Sequence, residues 1–294
     1  MPDRDLGGLV LAPKTTADPI DLARAAVEPS ELGRALGMPL HAVSGALGPL
    51  AVTIDTTTEV SEAGKVVDSL SDHTAVELGE LAKGDFHALY TNSADYGREV
   101  VFIAGALYLR PRYQKWHQRA PEASDEPKAL ADSFYEPVAA TWDLVSPAAE
   151  LVDGGAVKVG ARNGRRITIK RAAEPKKPAP EPLVQRQWRE GRVVDALDGE
   201  IVLDADKGTP LSVNLTGAVS FQRYGRRFSM KLSLKSELSA IGAPATIAVP
   251  GSDEVVATPE RMREVDDRDM LLQGIAPPTH HAAAAKPATP AGPK

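Results

Sequence analysis

Across residues 18–37, DPIDLARAAVEPSELGRALG, apolar positions recur at three- and four-residue spacing, the signature of an amphipathic helix. Asp18 is placed as its N-cap and Pro19 at the first helical position, where a missing N–H costs nothing. Pro29 should kink or split it. The period then drops to two. AVTIDTTTEV (51–60) has strand-forming density, and residues 71–110 break into short runs at Lys83-Gly84-Asp85, Asn92 to Gly97 and Gly105, which predicts consecutive hairpins.

Helical spacing returns in DEPKALADSFYEPVAATWDLVSPAAELV (125–152), with Asp125 as cap and Leu130, Phe134, Val138, Trp142 and Val145 on one stripe. Pro137 predicts a bend. AVKVGARNGRRITIKR (156–171) then reads as a hairpin turning at Asn163-Gly164, a pair suited to a type I′ turn. Residues 191–242 are again hairpin-like, with turns expected at Asp198-Gly199, Lys207-Gly208 and Tyr224-Gly225. Phe228, Met230, Leu232 and Leu234 alternate there with Ser229, Lys231 and Ser233, so one face is buried and the other wet. Helix, antiparallel strands, central helix, antiparallel strands: this order predicts an α+β fold in which helices cover one face of a large curved antiparallel sheet.

The ends change the picture only slightly. Residues 1–17 and the Pro/Ala-rich 276–294 read as flexible tails around a single domain at 18–275. RAAEPKKPAPEP (171–182) is a linker or a long loop inside that domain, since its prolines cannot join a central strand. A net charge of −6 argues against a surface devoted to nucleic acid. The absence of cysteine removes disulfides and thiolate chemistry. No apolar run is long enough for a signal-peptide core or a membrane span, which predicts a cytoplasmic protein or an exported one without its leader.

The most conspicuous chemistry is GALYLRPRYQKWHQR (105–119), where Arg110, Arg112, Lys115, Trp116 and Arg119 crowd together. Such a cluster can grip single-stranded nucleic acid. With an acidic total and no recognition motif, the expectation is no nucleic acid. The first half is instead a strand, and the part after Pro111 is a rim contact for lipid headgroups, a membrane surface or an envelope protein partner. His41, His73, His87 and His117 have no short ligand spacing, and His280-His281 lies in the tail. DADKGTPLSVNL (204–215) starts like a calcium loop at Asp204 and Asp206 but ends in Leu215 where a glutamate is required. Asp266, Asp267 and Asp269 suit a cation or acid/base site, and a solvated helix face or helix end explains them at least as well. No nucleophile elbow, phosphate loop or dinucleotide fingerprint is present, so no enzyme activity, cofactor or metal is expected.

The final strands followed by IGAPATIAVP, the leading helix, REVVFIAGALYLRPRYQKWHQR and the mid-chain helix together resemble LolA/LolB-like and LppX/LprG-like bacterial envelope lipoproteins, over roughly residues 18–250. The resemblance implies a half-open β-barrel whose helices act as a lid over an apolar cavity that receives a lipid or lipoprotein acyl chain, with no catalytic residue. It also implies the periplasm or outer membrane, although the lipid-modified cysteine of such proteins is missing here. Phase then nominates Phe102, Phe228, Met230 and Leu232 from the strands, with Phe134, Val138 and Trp142 from the lid, as cavity walls. The same residues would form an ordinary core if the concavity is filled, and the alternative is a structural or adaptor protein of an envelope assembly with this fold and no ligand.

Overall fold

The computed structural model describes residues 19–257, so Asp18, the acidic cluster at 263–270 and both tails lie outside the described residues. Three short helices come first: α1 (Leu22–Ala25), α2 (Pro29–Leu36) and α3 (Leu40–Leu47). The expected break falls at Pro29, which occupies the first turn of α2. The cap of α1 is Asp21, whose carboxylate accepts the Ala23 and Arg24 N–H groups.

Six strands follow: β1 (Ala51–Glu62), β2 (Lys65–Leu78), β3 (Phe86–Asn92), β4 (Gly97–Ile103), β5 (Ala106–Pro111) and β6 (Trp116–Arg119). The central helical region is two helices, α4 (Glu126–Ser133) and α5 (Glu136–Val145), with Pro137 in the first turn of the second. The helix expected to reach residue 152 ends earlier. Ser146–Ala148 form a single 3₁₀ turn around Pro147, and Ala149 already belongs to β7 (Ala149–Val159). The rest is β8 (Arg162–Arg171), β9 (Val193–Asp204), β10 (Pro210–Arg223), β11 (Arg226–Ser239) and the three-residue β12 (Val255–Ala257).

All twelve strands form one open sheet in the order β12-β6-β5-β4-β3-β2-β1-β11-β10-β9-β8-β7. Every pairing is antiparallel except β12 with β6. Consecutive strands are neighbours within β1–β6 and within β7–β11, the two runs join at the centre through β1 and β11, and β12 returns to the edge beside β6. This is the expected α+β half-barrel. α5 packs on β1 and β11 and against α2, which places the helices over the centre of one face.

Two expected turns are instead strand interiors, for the same reason. Asn163-Gly164 lies within β8 and the chain reverses at Gly160-Ala161, where Gly160 has φ 58°. A Cβ on Gly164 would sit 2.6 Å from the Val202 Cγ1 of β9, so this glycine serves close strand approach. Gly199 is inside β9, and a Cβ there would meet Leu215 Cδ2 at 2.7 Å. The turns at Gly208 and at Tyr224-Gly225 fall where expected. In the first of these, Asp204 is buried and accepts the backbone N–H of Asp206 and Lys207 and the Arg162 guanidinium, so it orders a hairpin.

After β11 the chain crosses back over the sheet. Gly242 N–H donates to Pro49 O and Ala245 N–H to Leu78 O, and β12 then pairs with β6. Ile247 and Val255 of this strap cover a small apolar cluster of Val101, Tyr108 and Trp116.

Candidate functional site: the helix-side face of the half-barrel

Register decides which side chains share the helix side. On β1 and β11 the opposed pairs are Val52 with Leu238, Ile54 with Ser236, Thr56 with Leu234, Thr58 with Leu232, Val60 with Met230 and Glu62 with Phe228. β10 continues the face through Val213, Leu215, Gly217, Val219 and Phe221. Burial falls along this row. Val52, Ile54 and Leu234 lie under the helices and are fully buried, whereas Thr56, Thr58, Val60 and Phe228 are half-buried. One end of the face is thus a packed core under α5, and toward the other end Leu232, Met230, Val219 and Phe221 stay buried while Thr58, Val60 and Phe228 are half-buried, which leaves an apolar floor partly open on the β1 side.

The lid is set by close packing. Trp142 of α5 is buried, and its indole lies against Gly33 of α2, where a Cβ would stand 3.0 Å from Nε1. Val138 is fully buried on the same helix. Phe134 is buried at the end of α4 with the Arg98 guanidinium 4.5 Å above its ring.

A second cover comes from the chain that follows the Pro-rich segment. Ala172 and Lys176 N–H donate to Ala148 O and Pro147 O, which fixes the start of that segment beside the 3₁₀ turn after α5. A 3₁₀ turn at Val184–Arg189 then lays Trp188 on Phe221, with ring centroids 4.4 Å apart, and Phe221 in turn stacks on Phe228 at 5.6 Å. Two buried arginines anchor this turn. Arg189 pairs with Asp143 at 2.6 Å and Glu181 at 3.3 Å. Arg192 donates to the Asp143 and Leu144 carbonyls at the end of α5 and to Arg189 O. Burial lowers the Arg192 pKa.

Toward β2 and β3 the face becomes polar. Tyr90 donates to Asp72 at 2.6 Å, Thr56 donates to the other Asp72 oxygen at 3.0 Å, and Asn92 donates to the Tyr90 hydroxyl. Burial, with Asp72 beside it, pushes the Tyr90 phenol well above its ordinary range. The apolar floor therefore centres on β1, β11 and β10.

Of the seven nominated wall residues, Phe228, Met230 and Leu232 line that floor, and Val138 and Trp142 belong to the lid beside it. Phe134 sits over β4. Phe102 shares the face but not the place: it opposes Phe86 at the far strand ends, four strands from β11, with ring centroids 6.3 Å apart. Trp188, Phe221 and Val60 were not nominated. Trp188 follows a proline run without periodicity, and its one signal is an isolated aromatic between Arg186 and Arg189.

The five nominated rim residues do not form one surface. Arg110 lies on the outer face, paired with Glu99 and 4.3 Å over Trp116, and Trp116 is buried under the strap. Arg119 pairs with Glu126 at the start of α4. Arg112 pairs with Asp95 at 3.0 Å, and Lys115 donates to Asp253 O at 3.2 Å. On the outer face His87 bonds Glu99 at 2.7 Å, which raises the His87 pKa. Burial alone would raise Glu99, but hydrogen bonds from His87 and Arg110 outweigh it and hold that carboxyl below its usual range.

No protein-family model matches the chain, and no curated protein matches it. Among solved structures, LprF from Mycobacterium bovis is 11% identical, covering 77% of this chain and 100% of its own, with a TM-score of 0.31. LppX from Mycobacterium tuberculosis is 11% identical over 75% of this chain and 100% of its own, TM-score 0.29. A LolA superfamily protein from Nitrosomonas europaea is 7% identical over 72% of this chain and 94% of its own, TM-score 0.21. No helix among the described residues is long and apolar enough to cross a membrane.

Proposed function

We propose that this protein binds the acyl chain of a lipid or lipoprotein, non-covalently and without catalysis, along the half-exposed end of its helix-side face, in the bacterial cell envelope. The observation that carries the reading is the fall in burial along β1 and β11. At that end Val60 and Phe228 are half-buried beside the nearly covered Leu232 and Met230, an apolar set that an ordinary solvated strand end would not combine on one face. Each methylene withdrawn from water onto such a floor contributes about 0.8 kcal/mol. Trp188 and Phe221 form one wall, the lid helices the closed end, and the Thr56–Asp72–Tyr90 network the polar side.

The test is native mass spectrometry of the full chain purified from membranes, with lipid extraction. The expected result is a co-purifying lipid and a thermal midpoint that rises with added lysophospholipid. Absence of bound lipid together with an unmoved midpoint would favour an adaptor that uses the fold without a ligand.

A further inference from the structure

The hairpin between β10 and β11 carries QRYGRR (222–227), with three arginines, one tyrosine and no acid. Tyr224 and Gly225 take φ 52° and 73°, and the turn projects Tyr224, 88% exposed, with the Arg223 guanidinium 5.2 Å from its ring. Because β1 pairs with β11 as far as Glu62 opposite Phe228, the tip of the β1–β2 hairpin lies alongside. That tip carries Lys65 and two further exposed apolar residues, Val66 at 56% and Val67 at 54%. An ion pair between Arg226 and Glu62 ties the tips together.

Arg110, Arg112, Arg119 and Arg165 are each matched to a carboxylate, whereas Arg223 and Arg227 form no ion pair among the described residues. Lys65, Arg223, Arg226, Arg227 and Lys231 stand on these two hairpin ends against Glu59, Glu62 and Asp68, a local excess of cations in a chain of net charge −6. It is interleaved with a tyrosine and two valines at the ends of two strands. Cations for phosphates, an aromatic ring for headgroup depth and small apolar side chains for the acyl boundary fit one surface, an anionic phospholipid bilayer. The tips also stand at the half-exposed end of the apolar floor, where Arg226 lies 5.8 Å from the Phe228 ring.

We propose that the paired tips of the β1–β2 and β10–β11 hairpins dock the protein on an anionic bilayer, with its apolar floor opening toward the membrane. The direction of the floor's opening gains its meaning from the acyl-binding function above, whereas the docking itself does not depend on it. The test is flotation of the full chain with phosphatidylcholine vesicles and with phosphatidylcholine–phosphatidylglycerol vesicles. Binding is expected to the anionic vesicles, weakened by salt, and reduced roughly fivefold for each arginine removed in R223Q/R227Q. K231Q/K235Q, which takes the same charge from the outer face, should bind as the parent does. Equal binding to neutral vesicles, or full binding by R223Q/R227Q, would overturn docking at the tips. Native mass spectrometry separates the two ideas. A double variant that keeps its co-purified lipid but loses vesicle binding supports docking, whereas a parent protein without lipid removes the acyl-binding function and leaves docking to the flotation result.

Discussion

Trp188 and Phe221 lie with ring centroids 4.4 Å apart, joining a turn that follows a proline-rich loop to a strand in the middle of the sheet. The stack covers the apolar floor beside β10, and Phe228 extends it to the floor itself. Trp188→Ala should cost about 1–2 kcal/mol in stability, from lost area and the aromatic pair. It should also speed release of a fluorescent fatty acid in a stopped-flow assay, because the wall on that side is gone.

Arg192 donates to two carbonyls at the end of α5 and to Arg189 O while buried. Arg192→Met should destabilise the protein by on the order of 3 kcal/mol, because those acceptors lose a charged donor without gaining water. Arg192→Lys should not recover it, since one ammonium cannot span the set. Urea unfolding of the three proteins checks both statements.

Gly33 faces the Trp142 indole at a distance a side chain would need. Gly33→Val should lower stability by about 1–3 kcal/mol through overpacking between α2 and α5. Trp142 fluorescence should shift with it if the lid moves off the sheet.

The His87–Glu99 pair predicts a pH dependence. His87 has a folded pKa above its ordinary 6.5, so its contribution is fully present below that value and is lost as pH rises through the folded pKa. Glu99 has the opposite sign: its contribution holds above the usual carboxylate range and is lost as pH falls through its lowered pKa. The stability difference between the parent and His87→Gln should therefore be largest between those limits and shrink on the alkaline side. A difference that is flat from weakly acidic to alkaline pH would contradict the pair.

Much of this architecture is legible in the chain. The alternation from Phe228 to Leu234 places β11 and its buried face, and Pro29 and Pro137 mark both helix breaks. The errors share a cause. Glycine reads locally as a turn, but Gly164 and Gly199 are needed for contact with strands distant in sequence, Val202 and Leu215, which no local pattern reveals. Ala149–Val152 continues a helical pattern yet pairs with β8, because Pro147 ends the helix and the sheet offers a ladder. The site was legible in phase but not in place. Alternation puts Phe102 and Phe228 on one face, while only register separates them to opposite ends. The basic run at 110–119 was split by the same alternation, Arg110 to the outer face and Arg119 to the helix side.

The acyl-binding account is tested most directly by photo-crosslinking with a diazirine-bearing fatty acid, followed by peptide mapping. Adducts are expected on the floor, within the peptides holding Val60 and Phe228 to Leu232, and should disappear when unlabelled fatty acid competes. Adducts confined to the outer face, or none that unlabelled lipid displaces, would contradict it.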